Sequence, residues 1–210
     1  MKTDNPPLPL GYSALPAGTI ANVVTCLEMR RRPDAPVASA AASDLVLEHW
    51  TDVDLGHYRS LFRRVGEDWM WVSRLVMPDD ELRAALSDPQ VELYAAIKDG
   101  EPAGILELDF RADGECELVF FGLVPEAIGQ GAGRWLMNQA LEKAWEKPIS
   151  RLWLHTCHFD HPGAITFYRR SGFEPYGTFV EVTEDPRLTG KMRIDAAQHV
   201  PLIRPVDPVS

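Results

Sequence analysis

The sequence has few of the features that mark secreted or membrane proteins. Its three cysteines, Cys26, Cys116 and Cys157, are an odd number without a C-x-x-C pair, which argues against a disulfide framework. The longest apolar run, residues 118–124, has the length of a strand and not the ~20 residues of a membrane span. Prolines interrupt the first ten residues, where a secretory signal needs a continuous apolar segment. We therefore expect a reduced, cytoplasmic protein that does not bind membranes.

Positive charge is also scarce. The chain has 21 Lys and Arg against 31 Asp and Glu, which gives a formal net charge of −10. Such a chain is a poor partner for nucleic-acid phosphates or anionic lipids, because both need local positive potential, and it attracts cations and amines instead. We expect no nucleic-acid partner. The oligomeric state stays open, with a homodimer as one alternative.

The chain is long enough for one sizeable domain with extensions. Of its 210 residues, 45% are hydrophobic, which is ample for a packed core. Prolines concentrate near both ends and predict an N-terminal extension over residues 1–42, with one extra strand within residues 19–30 and a linker that begins at residue 37. The folded domain is expected over residues 43–185. Residues 186–210 are expected to form an extended tail, with or without an edge strand.

Hydrophobic periodicity and turn residues predict the element order within this domain. The order is a strand, two helices, three antiparallel strands, a helix, a strand, a helix and a last strand. The pair Asp99-Gly100 is typical of a hairpin turn between two of these strands. The pattern indicates a mixed α/β fold with a mainly antiparallel sheet.

The most informative segment is the junction between a hydrophobic strand and an amphipathic helix at residues 120–134. Gly129, Gly131 and Gly133 alternate there. The backbone N–H groups of Gly131, Ala132 and Gly133 would open a helix, where N–H groups and the helix dipole favour a phosphate. The spacing also fits a simple tight turn. It is neither a dinucleotide fingerprint nor a P-loop, because the third glycine comes early and no Gly-Lys-Ser/Thr follows.

Two motifs together resemble the GNAT superfamily of acyl-CoA-dependent N-acyltransferases. The family's turn, [R/Q]-x-x-G-x-[G/A], matches Gly131 and Gly133, with Ile128 in place of Arg or Gln. The later motif, N-x-x-A-x-x-[F/L]-Y-x-x-x-G-F, has His161 in place of Asn and matches Ala164, Phe167, Tyr168, Gly172 and Phe173. The resemblance covers residues 45–182.

The resemblance implies both a fold and an activity. The sheet should be mixed, mainly antiparallel, splayed at a cofactor slot and flanked by helices. The activity implied is transfer of an acetyl group from acetyl-CoA, or of another acyl group from its CoA ester, to a primary amine by direct attack in a ternary complex, with no metal. Two alternatives stay open: a non-catalytic acyl-CoA-binding or regulatory module, and a binding protein for cationic partners. The positions that match donor contacts in the family are Phe121, Gly122, Leu123, Val124, Gln130, Gly131, Ala132, Gly133, Arg134 and His161.

Two residues match catalytic positions in the family. Tyr168 corresponds to the general acid that protonates the leaving thiolate. Glu117 stands on a strand where some relatives carry the general base that deprotonates the acceptor ammonium. Glu115, two residues away on the same face of the strand, and an ordered water are the alternatives.

Two further clusters have competing interpretations. Trp69 and Trp71 lie where the family's first two helices meet, so they are either core anchors or a wall that binds a cationic acceptor, a small molecule or a peptide amine. The second cluster has the residue types of a metal site, but strand alternation separates its members and no standard zinc spacing appears, so we expect no metal. That cluster comprises His155, Cys157, His158, Asp160 and His161.

Overall fold

A computed structural model describes residues 5–34, 44–129 and 131–205. Gln130 and the predicted linker lie outside these ranges. The strands are β1 Thr19–Met29, β2 Leu45–His49, β3 Val91–Lys98, β4 Glu101–Asp109, β5 Glu115–Leu123, β6 Arg151–Cys157 and β7 Glu174–Glu184. The helices are α1 Leu55–Gly66, α2 Ser73–Val76, α3 Asp79–Leu86, α4 Ala132–Trp145 and α5 Ala164–Arg170, with 3-10 turns at Glu67–Trp69 and Pro125–Ala127. The predicted mixed α/β class is confirmed, and the predicted order holds with one additional short helix, α2, between the two expected after β2.

Local sequence signals account for several element boundaries. Asp54 caps α1, because its carboxylate accepts a hydrogen bond from the His57 N–H at 2.9 Å. Asp99 and Gly100 both have positive φ, 52° and 83°, as the two-residue turn between β3 and β4 requires. The apolar stripe of α4 is buried and anchors this helix to the sheet; it comprises Leu136, Met137, Ala140, Leu141 and Ala144.

The strands that the structure describes form one sheet in the order β2-β3-β4-β5-β6-β1-β7. The N-terminal strand β1 therefore lies inside the sheet, antiparallel to both β6 and β7. Cys26 illustrates its position, since it is opposite His155 on one side and Gly177 on the other. Pro175 is tolerated in β7 because that strand is at the edge of the sheet.

Helices cover both faces of the sheet. We call the face that α1 covers the front: a β-carbon at Gly122 would lie 2.5 Å from Val65 of α1, so glycine is needed for this close packing. The back face carries α4 and α5, where Phe167 of α5 stacks on Phe121 of β5 with ring centroids 5.8 Å apart. Neighbouring residues of β5 therefore face opposite layers.

The pairing of β5 with β6 stops early. The two parallel strands are in register at Glu115–Arg151, Cys116–Leu152 and Glu117–Trp153, and no further, although β5 continues to Leu123 and β6 to Cys157. A bulge on the β4 side adds to the divergence, because Leu118 pairs with Leu108 and Phe120 with Glu107. The predicted splay is confirmed.

The C-terminal residues 185–205 form turns and contribute no strand within the described chain. Buried Arg187 holds them in place: its guanidinium is paired with Asp185 at 2.7 Å and donates to the carbonyl of Val200 at 2.8 Å. Ala197 and Val200 pack with Phe159 in a small second hydrophobic cluster. Of the two alternatives left open for the tail, the described residues show the one without an edge strand, so β7, which pairs with β1 on one side, remains the edge of the sheet.

We expect a chain that lacks residues 1–30 to lose its cooperative thermal unfolding transition and its near-UV circular dichroism. Without β1, the ladder groups of both β6 and β7 lose their partners, and each unsatisfied buried group costs ~1–3 kcal/mol. A chain that lacks only residues 1–13 is the control, because residues 5–13 are exposed and outside the sheet. Equal melting temperatures and equally cooperative transitions in the two truncated chains would contradict a structural role for β1.

Candidate functional site

The glycine turn before α4 presents backbone N–H groups at a helix N-terminus. Gly129 and Gly131 have φ of 109° and 86°, a left-handed backbone that favours glycine. The Ala132 N–H is already used, since it donates to the Gly129 carbonyl at 3.0 Å. No residue in the described ranges accepts from the N–H of Gly131 or Gly133. Of the three predicted donors, these two are therefore open to a ligand.

A cavity of about 290 Å³ lies between the start of α4 and α5. Two arginines, Arg134 of α4 and Arg170 of α5, give it a positive lining in an otherwise acidic protein. Sequence reasoning predicted Arg134 and missed Arg170. Arg170 follows Arg169 in the last turn of α5, and no motif marked it as a binding residue. Phosphates bind to such a combination of guanidinium groups and free backbone N–H groups. The remaining lining residues are Gly163, Thr166, Phe167 and Ser171.

The gap between β5 and β6 also offers backbone donors. The Val124 N–H points towards β4, because it donates to the Ala103 carbonyl at 2.9 Å. Since N–H directions alternate along a strand, those of Phe121 and Leu123 point into the gap and that of Gly122 towards β4. Of the four predicted strand contacts, Phe121 and Leu123 thus present hydrogen-bond donors to a ligand in the gap.

Tyr168 lies behind this gap. Its ring contacts Phe121 of β5 and Phe173, with ring centroids about 6 Å apart in each pair. Its hydroxyl has no hydrogen-bond partner in the described part of the chain. Burial raises the pKa of the phenol, and the negative charge of Asp160 raises it further. Tyr168 is therefore held in the protonated form, as a proton donor must be.

The bulge between Leu118 and Phe120 shifts the alternation of β5 by one residue, so two carboxylates before it face the front of the sheet at the start of the gap. They have different partners. Glu115 is paired with the Arg151 guanidinium at 3.0 Å. The Glu117 Oε1 atom lies 3.5 Å from His155 Nδ1. Arg151 thus neutralises Glu115, whereas Glu117 has an imidazole as its neighbour.

Asp160 connects the two walls of the gap. Its carboxylate accepts from the Thr156 hydroxyl at 2.6 Å and from the Cys157 N–H at 2.9 Å, both at the end of β6. It also accepts from the Trp71 Nε1–H at 3.3 Å. Trp71 packs in addition against Phe62 and Phe120, so its indole serves the core of the front layer.

Trp69 has a more open environment than Trp71. It borders a cavity of about 370 Å³ together with Asp68, Asp195 and the C-terminal segment. Its ring lies 5.5 Å from that of His161 and 5.6 Å from that of His199, measured between centroids. His161 also accepts the Gly163 N–H at 3.0 Å and so shapes the start of α5. Sequence reasoning missed His199, which is 130 positions from Trp69 and carries no motif.

The cysteines lie in environments that disfavour the thiolate. Burial raises the pKa of Cys26 and Cys116, and it raises the pKa of Cys157 to about 11. In residues 5–34, 44–129 and 131–205, no group of three or more His, Cys, Asp or Glu side chains could hold a metal ion. No helix within those ranges is both long and apolar enough to cross a membrane.

Similar structures share this architecture at low sequence identity. A GCN5-related N-acetyltransferase from Kribbella flavida is 20% identical with a TM-score of 0.51, over 82% of this chain and 63% of that one. A GCN5-related N-acetyltransferase from Sphaerobacter thermophilus is 12% identical with a TM-score of 0.55, over 78% of this chain and 52% of that one. An aminoglycoside acetyltransferase from an uncultured soil metagenomic sample is 18% identical with a TM-score of 0.51, over 62% of this chain and 89% of that one. The chain thus spans less than two thirds of the first two proteins. At these identities the likeness concerns the fold.

The sequence itself also matches a family. No curated protein matches it, but the model of the acetyltransferase (GNAT) family matches residues 58–173, which is more than half of the chain. This match contains both motifs and confirms the resemblance they carried. The chain therefore belongs to the acetyltransferase (GNAT) family.

Proposed function

We propose that the protein is an N-acetyltransferase that moves an acetyl group from acetyl-CoA to a primary amine by direct attack in a ternary complex. The observation that carries this proposal is the early end of the β5–β6 pairing. It opens a gap lined by the N–H groups of Phe121 and Leu123, close to the free N–H groups of the glycine turn. A long donor with phosphates at one end and amide and thioester groups at the other fits this arrangement.

The donor would be bound by groups of matching chemistry. The N–H groups of Gly131 and Gly133, with Arg134 and Arg170, face the phosphates, because the helix dipole and the guanidinium charges favour anions. The N–H groups of Phe121 and Leu123 pair with the extended arm in the gap. His161 contributes indirectly, by shaping the loop that enters α5.

Proton transfer would be divided between the two sides of the gap. The amine must lose a proton before it can attack, since an ammonium group has no free electron pair. Glu117, on the front, supplies the carboxylate of the base, directly or through a bridging group. Tyr168, on the back, donates a proton to the thiolate as the carbon–sulfur bond breaks.

The acceptor would enter from the front, beside Trp69. The indole and the carboxylates of Asp68 and Asp195 line the same cavity, and aromatic faces and carboxylates both attract an ammonium group. Asp195 forms an ion pair with Arg193 at 2.6 Å. The negative charge of Asp68 is therefore less compensated than that of Asp195. This arrangement favours a small or flexible cationic amine.

Thiol release tests the proposed function. The protein is mixed with acetyl-CoA and, separately, with spermidine, tyramine, kanamycin or glycinamide, and free CoA is measured with a thiol reagent. We expect amine-dependent thiol release with at least one probe, together with an acetylated amine in the mass spectrum. Tight acetyl-CoA binding without release in any of the four reactions would favour the non-catalytic module instead.

Replacing Gly131 by Ala should abolish the stabilisation that acetyl-CoA confers. At about a hundred times Kd the donor should stabilise the wild-type fold by ~2.7 kcal/mol, measured as a thermal shift. Gly100→Ala is the matched control, because Gly100 has φ of 83° in a remote hairpin, close to the 86° of Gly131. Each substitution strains the backbone by ~1–2 kcal/mol. Equal shifts in the two variants would remove the turn from the donor site.

Replacing Tyr168 by Phe should lower kcat by ~10²–10⁴-fold and leave the donor KM nearly unchanged, since the proton is needed in the transition state. Folding should be unaffected, because the hydroxyl has no partner in the described chain. Tyr94→Phe, which removes a hydroxyl bonded to Glu92 on β3, should keep the wild-type kcat. A change below threefold in Tyr168→Phe, with chemistry shown to be rate-limiting, would assign Tyr168 to packing.

Substitutions of Trp69 and Trp71 should have different effects, one on acceptor binding and the other on stability. Trp69→Leu should raise the acceptor KM several-fold, since an exposed cation–π contact contributes ~0.5–1 kcal/mol, and leave donor affinity unchanged. Trp71→Leu should lower the melting temperature, because it removes the packing against Phe62 and the hydrogen bond to Asp160. An unchanged acceptor KM in Trp69→Leu would place the acceptor elsewhere.

A further inference from the structure

The contact between Glu117 and His155 joins two strands at the point where they separate. Glu117 is the last residue of β5 that pairs with β6, and its partner in the register is Trp153. His155 lies two residues further along β6, beyond the pairing. Its imidazole is 41% exposed and its Nδ1 atom is 3.5 Å from the Glu117 carboxylate. The pair therefore faces solvent on the front, at the mouth of the gap.

The other charged and titratable groups around His155 are already engaged. On β1, Cys26 lies opposite His155, and burial raises the pKa of its thiol. On β6, Arg151 is bound by Glu28 and Glu115, and Cys157 also has a raised pKa. On β7, Tyr176 contacts Arg151, and in the loop after β6 Asp160 is held by three donors. Glu117 is thus the carboxylate that acts on the imidazole.

The proposed reaction requires a route for protons. An ammonium group and a thioester give an amide, a thiol and one released proton. The nitrogen loses two protons: one replaces the proton that Tyr168 gives to sulfur, and the other must reach water. A carboxylate, which titrates at ~4.3, is a weak base for an ammonium group, whereas an imidazole, at ~6.5, is better matched to neutral solution.

We propose that His155 takes the proton of the acceptor ammonium on Nε2 while Glu117 orients the ring through Nδ1. This assignment rests on the proposed function and identifies the group through which Glu117 acts. Nδ1 is the ring nitrogen nearest the carboxylate, at 3.5 Å, and a neutral ring with its proton on Nδ1 has its lone pair on Nε2. No described residue bonds to Nε2, so this atom is open to an amine or a bridging water. After transfer the imidazolium is stabilised by Glu117 and returns its proton to solvent. The same division of roles operates wherever a carboxylate orients a histidine base.

The test compares the pH dependence of kcat/KM in wild type, His155→Gln and Glu117→Gln, with acetyl-CoA and the best of the four amine probes. In wild type we expect an acidic limb, along which kcat/KM falls as the base becomes protonated. His155→Gln should lose this limb and at least ~100-fold of the rate at pH 7. Glu117→Gln should lower the rate and retain a limb, because the ring remains. His57→Gln, at an exposed position of α1, should match wild type.

Chemical rescue gives a second readout that a structural role would not produce. Free imidazole should restore activity to His155→Ala several-fold, and it should not restore Tyr168→Phe. Wild-type rate and pH profile in His155→Gln, with an inactive Glu117→Gln, would overturn the proposal in favour of direct action by Glu117. Absence of thiol release by wild type would overturn the proposed function and this assignment together.

Discussion

β5 and β6 pair at only three positions, and the arrangement of the candidate site depends on the gap that follows. Backbone donors inside a sheet are costly to leave unpaired, at ~1–3 kcal/mol each when buried, so each strand needs support from its other side. β5 is supported by β4 as far as Leu123, which is opposite Gly104. β6 is supported by β1 from Leu152 to Cys157, which is all of the strand except its first residue. The strands can therefore diverge without loss of the sheet.

The front layer fixes the two walls of the gap relative to each other. Trp71 packs on Phe120 of β5 and donates to Asp160, which is bound to the end of β6. One indole thus connects both walls. The absence of a side chain at Gly122 lets α1 approach β5 closely enough for this packing. Core packing and site geometry are consequently coupled in this region.

Charge pairing also gives the carboxylates of this region different partners. Arg151 engages Glu28 and Glu115, and Arg74 engages Glu107, which is buried beneath α1 and α2. Buried or neutralised carboxylates cannot readily exchange protons with a substrate. Glu117 has a titratable neighbour instead of an arginine.

On the back, Arg134 and Arg170 line one cavity and create local positive potential in a chain of net charge −10. A strongly acidic composition is thereby compatible with a phosphate-bearing ligand.

The sequence determined the local elements and the two motifs of the family. The glycine turn, the Asp99-Gly100 hairpin and the buried stripe of α4 depend on neighbouring residues, so their backbone preferences and periodicity suffice to predict them.

Only the tertiary structure decided which partners distant residues acquire. The place of β1 between β6 and β7 depends on pairing across more than 120 positions, as between Cys26 and His155, and periodicity is the same for a central and an edge strand. Glu115 and Glu117 likewise share one face of a strand, and the fold gives them different partners, Arg151 and His155, on which the proposal for Glu117 rests. Such contacts depend on register and topology, which no local pattern contains.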